Sequence, residues 1–309
     1  MIPLWDSNPG RRFPVVTTAL IAVNAAVFLL YELPNRDAAI SDGSFYPCDI
    51  TNACHLGIPW GLGWLTSMFM HVGWVHIVGN MLYLAIFGNN VEDSFGRLRY
   101  LGFYLAGGLA ATVTQAAVTL TFGTPDDARE PNLGASGAIA AVLGAYIVLY
   151  PRARIYGIVG WIPVRLPAWV CLGLWIGLQL LLGGGAITHP DKSGGGGVAF
   201  FAHIGGFIFG VAVALILTRT GKVTAVTAPE GDRRQDRPPP AEDSTVSALA
   251  APRTSASAAP PTGPPGPQKI ANVRCFVCGH VQPEPLSETT FACTACGAKL
   301  TRKTQSPAG

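Results

Sequence analysis

Six long runs with almost no charge constrain this chain more than anything else in it: residues 13–33, 72–91, 98–122, 133–150, 166–187 and 198–218. Each is close to the ~17–25 residues that a helix needs to cross the hydrocarbon core of a bilayer. Unpaired backbone amides are costly in lipid, so spans of this kind must be helical. The 309-residue chain carries only 13% charged side chains, about half the share of an ordinary soluble domain. The expected fold is therefore an all-α polytopic membrane protein, with six transmembrane helices within residues 1–221. A signal peptide is the alternative for the first run, but no small-x-small cleavage site followed by a soluble domain is evident.

Basic residues give the orientation, because short cytoplasmic loops are enriched in Lys and Arg. With the N-terminus inside, Arg11, Arg12, Arg97, Arg99, Arg152, Arg154, Arg165, Arg219 and Lys222 fall inside, and only Arg36, Arg129 and Lys192 fall outside. Both termini are expected in the cytoplasm of a cell whose plasma membrane, of bacterial type, holds the bundle. A net charge of +3 makes no case for nucleic acid, and none is predicted as a partner.

The loop from about Pro34 to Leu65 lies outside. Its apolar end around Trp60 and Trp64 either lies in the membrane interface or packs on the bundle. Cys48 and Cys54 sit in this loop, where a disulfide is one of two open readings. Cys171 reads as a packing residue. Residues 222–271, rich in Pro, Ala, Ser and Thr, cannot bury enough apolar surface to fold and read as a linker. Residues 272–303 then carry Cys275-x-x-Cys278 and Cys293-x-x-Cys296. Four thiolates at this spacing fit a closed tetrahedral structural Zn²⁺ site. Metal would supply the folding energy of a segment too small for a core. A cytoplasmic protein partner is the expected role of such a ribbon.

Polar groups at membrane depth are expensive and so point to function. Span two carries His71, His76 and Asn80; span four opens on Gly134-Ala135-Ser136-Gly137; span six carries Ala202-His203-x-x-Gly206. Spans two, four and six all enter from the outside. At 1.5 Å per residue His203 lies roughly 8 Å into its span, and His76, Asn80 and Ser136 fall in the same third of theirs. Small residues recur every four positions in span four (Gly137, Ala141, Ala145) and span six (Ala202, Gly206, Gly210). Such faces let helix backbones approach closely, so Ser136 can reach His203. A serine hydroxyl needs an adjacent base to act as nucleophile, and His203 is that base. His76, Asn80 and the Ser136 amide are candidate donors to an oxyanion. His71 reads as a structural neighbour or a lining of the water entry, and Glu92 and Asp93 at the far end of span two read as structural.

These three motifs, in this order and spacing over about residues 13–218, resemble the rhomboid family of intramembrane serine proteases. The resemblance implies a Ser136–His203 dyad without a catalytic cofactor, an oxyanion hole lined by His76, Asn80 and Ser136, and an active-site loop shaped by Gly134. It implies single-span transmembrane protein substrates cleaved within the lipid bilayer near the outer face. Two departures stand out. Some members carry an aromatic residue one turn after the serine, packed on the histidine; here that residue is Ala140. The outer-loop Trp-Arg pair of many members is absent. A rival reading is a catalytically silent rhomboid-like protein that binds client helices. A proton-relay transporter would want a carboxylate facing the histidines, and the sequence predicts none there.

Overall fold

A computed structural model describes residues 1–8, 10, 12–188 and 199–224, with four short strands further on. The first unit, within Met1–Ala241, is mostly helical. Helix α1 (Val15–Val27) continues as a π-helical turn, Phe28–Glu32. Its first amides are capped from another helix: the Glu92 carboxylate accepts from Val16 N at 2.9 Å and Thr17 N at 2.8 Å. A carboxylate suits this position because the first amides of a helix have no partner within it.

The stretch after Glu32 is not a plain connector. It holds α2 (Arg36–Gly43), α3 (Pro47–Ile50) and α4 (Trp60–Ser67), and Cys48 and Cys54 are joined in a disulfide. Next, α5 (Trp74–Tyr83), a π-helical stretch (Leu84–Gly88) and α6 (Asn89–Phe95) follow without a break. Gly96, at φ +79°, then turns the chain into α7 (Arg97–Phe122). Helices α8 (Ser136–Leu149), α9 (Ala168–Thr188) and α10 (Phe200–Arg219) complete the bundle.

Among the described residues, four helices are long and apolar enough to cross a membrane: Val15–Glu32, Arg97–Phe122, Ala168–Gly185 and Phe200–Arg219. Large apolar side chains cover the outside, among them Val75, Leu98 and Leu181. A soluble monomer rarely exposes such a surface. The protein is thus a multi-pass membrane protein. Helix α8 differs from the span expected over 133–150. Its 14 residues reach only about 21 Å at 1.5 Å per residue, well short of a ~30 Å hydrocarbon core. It is walled in by protein instead, and Ala138 through Ala145 are buried almost completely.

Helix α8 packs most extensively on α10, and the reason is the absence of side chains. A Cβ on Gly206 would overlap the Gly137 carbonyl, and one on Gly210 would overlap the Ala141 carbonyl. The small-residue faces expected from sequence therefore meet backbone to backbone.

The all-α expectation needs a correction. Strands β1 (Ile2–Asp6), β2 (Arg154–Val159) and β3 (Ile162–Pro167) form an antiparallel sheet in that order. Ile2 pairs with Ile158 and Arg154 with Pro167. The sheet ties the N-terminus to the connection between α8 and α9. Its anchor is Asp6, which accepts from the Tyr146 hydroxyl and, at 2.8 Å, from Asn90 Nδ2.

In the second unit, Glu242–Gly309, β4 (Asn272–Arg274) pairs with β5 (Val281–Pro283), and β6 (Thr290–Ala292) with β7 (Lys299–Thr301). Cys275, Cys278, Cys293 and Cys296 lie outside the described residues. So do most of the linker 222–271 and the glycine run 194–197.

Candidate active site

Ser136 opens α8, and the chain entering it is held from two sides. Phe45 and Asn132 exchange both backbone hydrogen bonds, at 3.0 and 2.8 Å, and Gly134 N donates to the Ser67 carbonyl at 2.8 Å. The segment carrying α2, α3 and α4 thereby fixes the approach to the serine. Gly134 adopts φ +121°, a conformation that side chains resist. A Cβ there would also stand 2.9 Å from Cε1 and Nε2 of His76 and 3.7 Å from Ser136 Oγ. The bare α-carbon of Gly134 is thus what lets the His76 ring and the Ser136 hydroxyl flank one small space.

His203 comes from the first turns of α10. That end of the helix is tied to α7, because the Gln115 side-chain oxygen accepts from Ala202 N at 3.1 Å. His203 Nε2 lies 2.8 Å from Ser136 Oγ. Its other ring nitrogen, Nδ1, lies 2.8 Å from the side-chain oxygen of Gln179 on α9. Trp175, one turn earlier on α9, sets its ring 5.6 Å from the imidazole, tilted by 40° to it. Sequence reasoning missed both residues. A signal existed: Gln179 is the one carboxamide in an otherwise apolar span, and such a group needs a partner in lipid.

The donors proposed for an oxyanion sit on α5. His76 Nδ1 accepts from Val72 N at 3.4 Å, which leaves the ring proton on Nε2, the atom facing Gly134. Asn80 lies one turn further along the same face. It is buried, and its Nδ2 has no hydrogen-bond partner among the described residues. Leaving such a donor unpaired costs roughly 1–3 kcal/mol, so its place asks for an acceptor that arrives later. A cavity of about 30 Å³ opens beside Ser136, bounded by Ser67, Met68, Gly108, Gln115 and Gly134. It has room for a water or a methyl-sized group.

His71 does not join the serine and His203. It is fully buried, its ring meets His76 edge to face at 5.0 Å, and neither of its ring nitrogens has a partner among the described residues. Its backbone amide donates to Glu32 at 2.9 Å. A buried carboxylate therefore does approach this histidine cluster, contrary to expectation, but it meets backbone and not an imidazole. Ala140 is fully buried, and a Cβ on Gly206 would come within 3.3 Å of its methyl group. No aromatic ring fits there without parting α8 from α10.

Residues 60–220 match the rhomboid domain model. The chain is 32% identical over 218 residues to the Arabidopsis thaliana RHOMBOID-like protein 12, mitochondrial, covering 67% of this chain and 59% of that one. It is 29% identical over 198 residues to the Danio rerio Presenilin-associated rhomboid-like protein A, mitochondrial, covering 63% and 45%. It is 28% identical over 212 residues to the Rhomboid protease GluP of Bacillus subtilis, covering 67% and 36%. The chain thus spans less than two-thirds of the length of each of these three relatives. The matched domain takes up just over half of the chain and contains His71, His76, Asn80, Ser136 and His203: this chain belongs to the rhomboid family.

Proposed function

We propose that the protein is an intramembrane serine endopeptidase that hydrolyses peptide bonds of single-span transmembrane proteins. The observation that carries this reading is the 2.8 Å approach of His203 Nε2 to Ser136 Oγ, at the mouth of a helix recessed within the bundle. In this scheme His203 takes the hydroxyl proton as Oγ attacks the scissile carbonyl carbon. Negative charge develops on the carbonyl oxygen. The Ser136 amide at the start of α8, His76 Nε2–H and Asn80 Nδ2 receive it. The C–N bond then breaks, and the imidazolium returns its proton to the leaving amine. Water, activated by the same base, releases the acyl group from Ser136.

The unpaired Asn80 donor supports this assignment, since the developing oxyanion supplies the acceptor it lacks. The 30 Å³ cavity favours a small substrate residue beside the cut. Six crossings are assigned: α1 with its π turn, α5 to α6, α7, the short α8, α9 and α10. Both termini lie in the cytoplasm, following the basic loops.

The C-terminal unit is assigned as a zinc ribbon whose ligands are Cys275, Cys278, Cys293 and Cys296, with a structural role for the metal. The paired strands support it: each Cys-x-x-Cys falls in the stretch joining two antiparallel partners, β4 to β5 and β6 to β7. Recruitment of a cytoplasmic protein is its assigned task.

Wild type, Ser136→Ala and His203→Ala, each in liposomes with a single-span substrate, test the enzymatic reading. Cleavage by wild type alone supports it. Intact substrate that binds all three proteins equally would favour the silent, helix-binding alternative.

A further inference from the structure

The imidazole of His203 is held at both ring nitrogens and flanked by an indole, and only one of those contacts comes from α8. Nε2 meets Ser136, but Nδ1 meets the Gln179 side-chain oxygen at 2.8 Å, and the tilted Trp175 ring lies 5.6 Å away. Trp175 and Gln179 are four residues apart and so share one face of α9. That helix packs chiefly on α10, and Gln179 is only 7% exposed.

The carboxamide decides which nitrogen carries the proton. When the Gln179 oxygen accepts, the proton must sit on Nδ1, and the Nε2 lone pair faces Ser136, as a general base requires. The opposite amide orientation would donate to Nδ1 and leave a proton on Nε2, where no base could act. A hydrogen bond at one ring nitrogen sets the state of the other.

We propose that Gln179 is a positioning residue: its side-chain oxygen fixes His203 in the tautomer that leaves Nε2 free toward Ser136, so that the dyad is competent only while α9 is seated on α10. The neutral amide does here what a buried carboxylate does in a serine triad, without placing a charge in the membrane domain. This inference rests on the Ser–His reading.

The test uses full-length wild type, Ser136→Ala, Gln179→Leu and Gln179→Glu in liposomes. Loss of cleavage in Ser136→Ala establishes the dyad first, so that failure of that reading is seen separately. Gln179→Leu keeps the bulk and removes the acceptor; its kcat is expected to fall about 10- to 100-fold, with KM nearly unchanged. Gln179→Glu keeps an acceptor oxygen and is expected to restore most of the rate. Independently of activity, ¹⁵N spectra of histidine-labelled protein should show His203 protonated at Nδ1 in wild type and in Gln179→Glu, and a mixture of tautomers in Gln179→Leu. Wild-type kcat in Gln179→Leu, or an unchanged His203 spectrum in that variant, overturns the proposal.

Discussion

The site is assembled by the closeness of two helix backbones, and Gly206→Ala measures how much that closeness matters. The added methyl group would overlap the Gly137 carbonyl, one residue from Ser136, and would crowd the Ala140 methyl at 3.3 Å. Both neighbours are rigid parts of α8, so neither can swing aside. Ordinary carbon–oxygen contact requires about 3.3–3.6 Å, which means α10 must retreat from α8 by on the order of 1 Å. His203 rides on α10 less than one turn before the new methyl. Its 2.8 Å approach to Ser136 then opens beyond hydrogen-bond range. A misplacement of about 1 Å can cost 10²-fold in rate, and overpacking costs ~1–3 kcal/mol in stability. We expect kcat for a transmembrane substrate in liposomes to fall about 10²-fold, with KM little changed and the melting temperature lowered. Gly102→Ala on α7 is the control, because nothing stands within 4 Å of its added Cβ; it should keep the wild-type rate. Folded Gly206→Ala protein that cleaves at the wild-type rate would refute the argument that backbone contact sets the dyad distance.

Further outcomes follow from other parts of the molecule. Asn80→Ala should lower kcat by about 10²–10³ yet leave the melting temperature unchanged or higher, since it deletes an unpaired buried donor. Gly134→Ala should cost both stability and rate, because the new Cβ is strained by φ and pushes against His76; thermal unfolding and kcat measured together check this. Burial pushes the Asp6 carboxyl up to about 6 against the hydrogen bonds of Tyr146, Asn8 and Asn90. Its folded value exceeds the ordinary carboxylate value of about 4, so the stability it lends is whole below pH 4 and is lost as pH rises through 6. Asp6→Asn should therefore gain melting temperature relative to wild type at pH 7.5 but not at pH 4. Metal analysis of the full chain should find a single zinc, lost in Cys293→Ser, with Ser136-dependent cleavage retained.

The meeting of Ser136 with His203 was legible because its cause is local: small residues at a four-residue spacing on two apolar spans permit little besides close packing. The role of Gly134 came from the family resemblance alone, because its physical cause, the nearness of the His76 ring, is not local in the sequence. Gln179 escaped because span five was read for its length and apolarity, whereas a single carboxamide within it was the informative departure. Glu32 escaped at the end of span one, where a carboxylate looks like the beginning of a loop. The sheet was hidden for a different reason. Strand β1 pairs with residues some 150 positions away, and six-residue strands carry too little pattern to show such a partnership. The shortness of α8 follows from enclosure by its neighbours, which hydropathy along one chain segment does not register.

The central claim is that Ser136 is a nucleophile activated by His203. Treating the folded, full-length protein with a fluorophosphonate and locating the adduct by peptide mass spectrometry tests it most directly. The account predicts phosphonylation on Ser136, reduced at least about 10²-fold in His203→Ala. Labelling confined to another serine, or Ser136 labelling undiminished in His203→Ala, would contradict it.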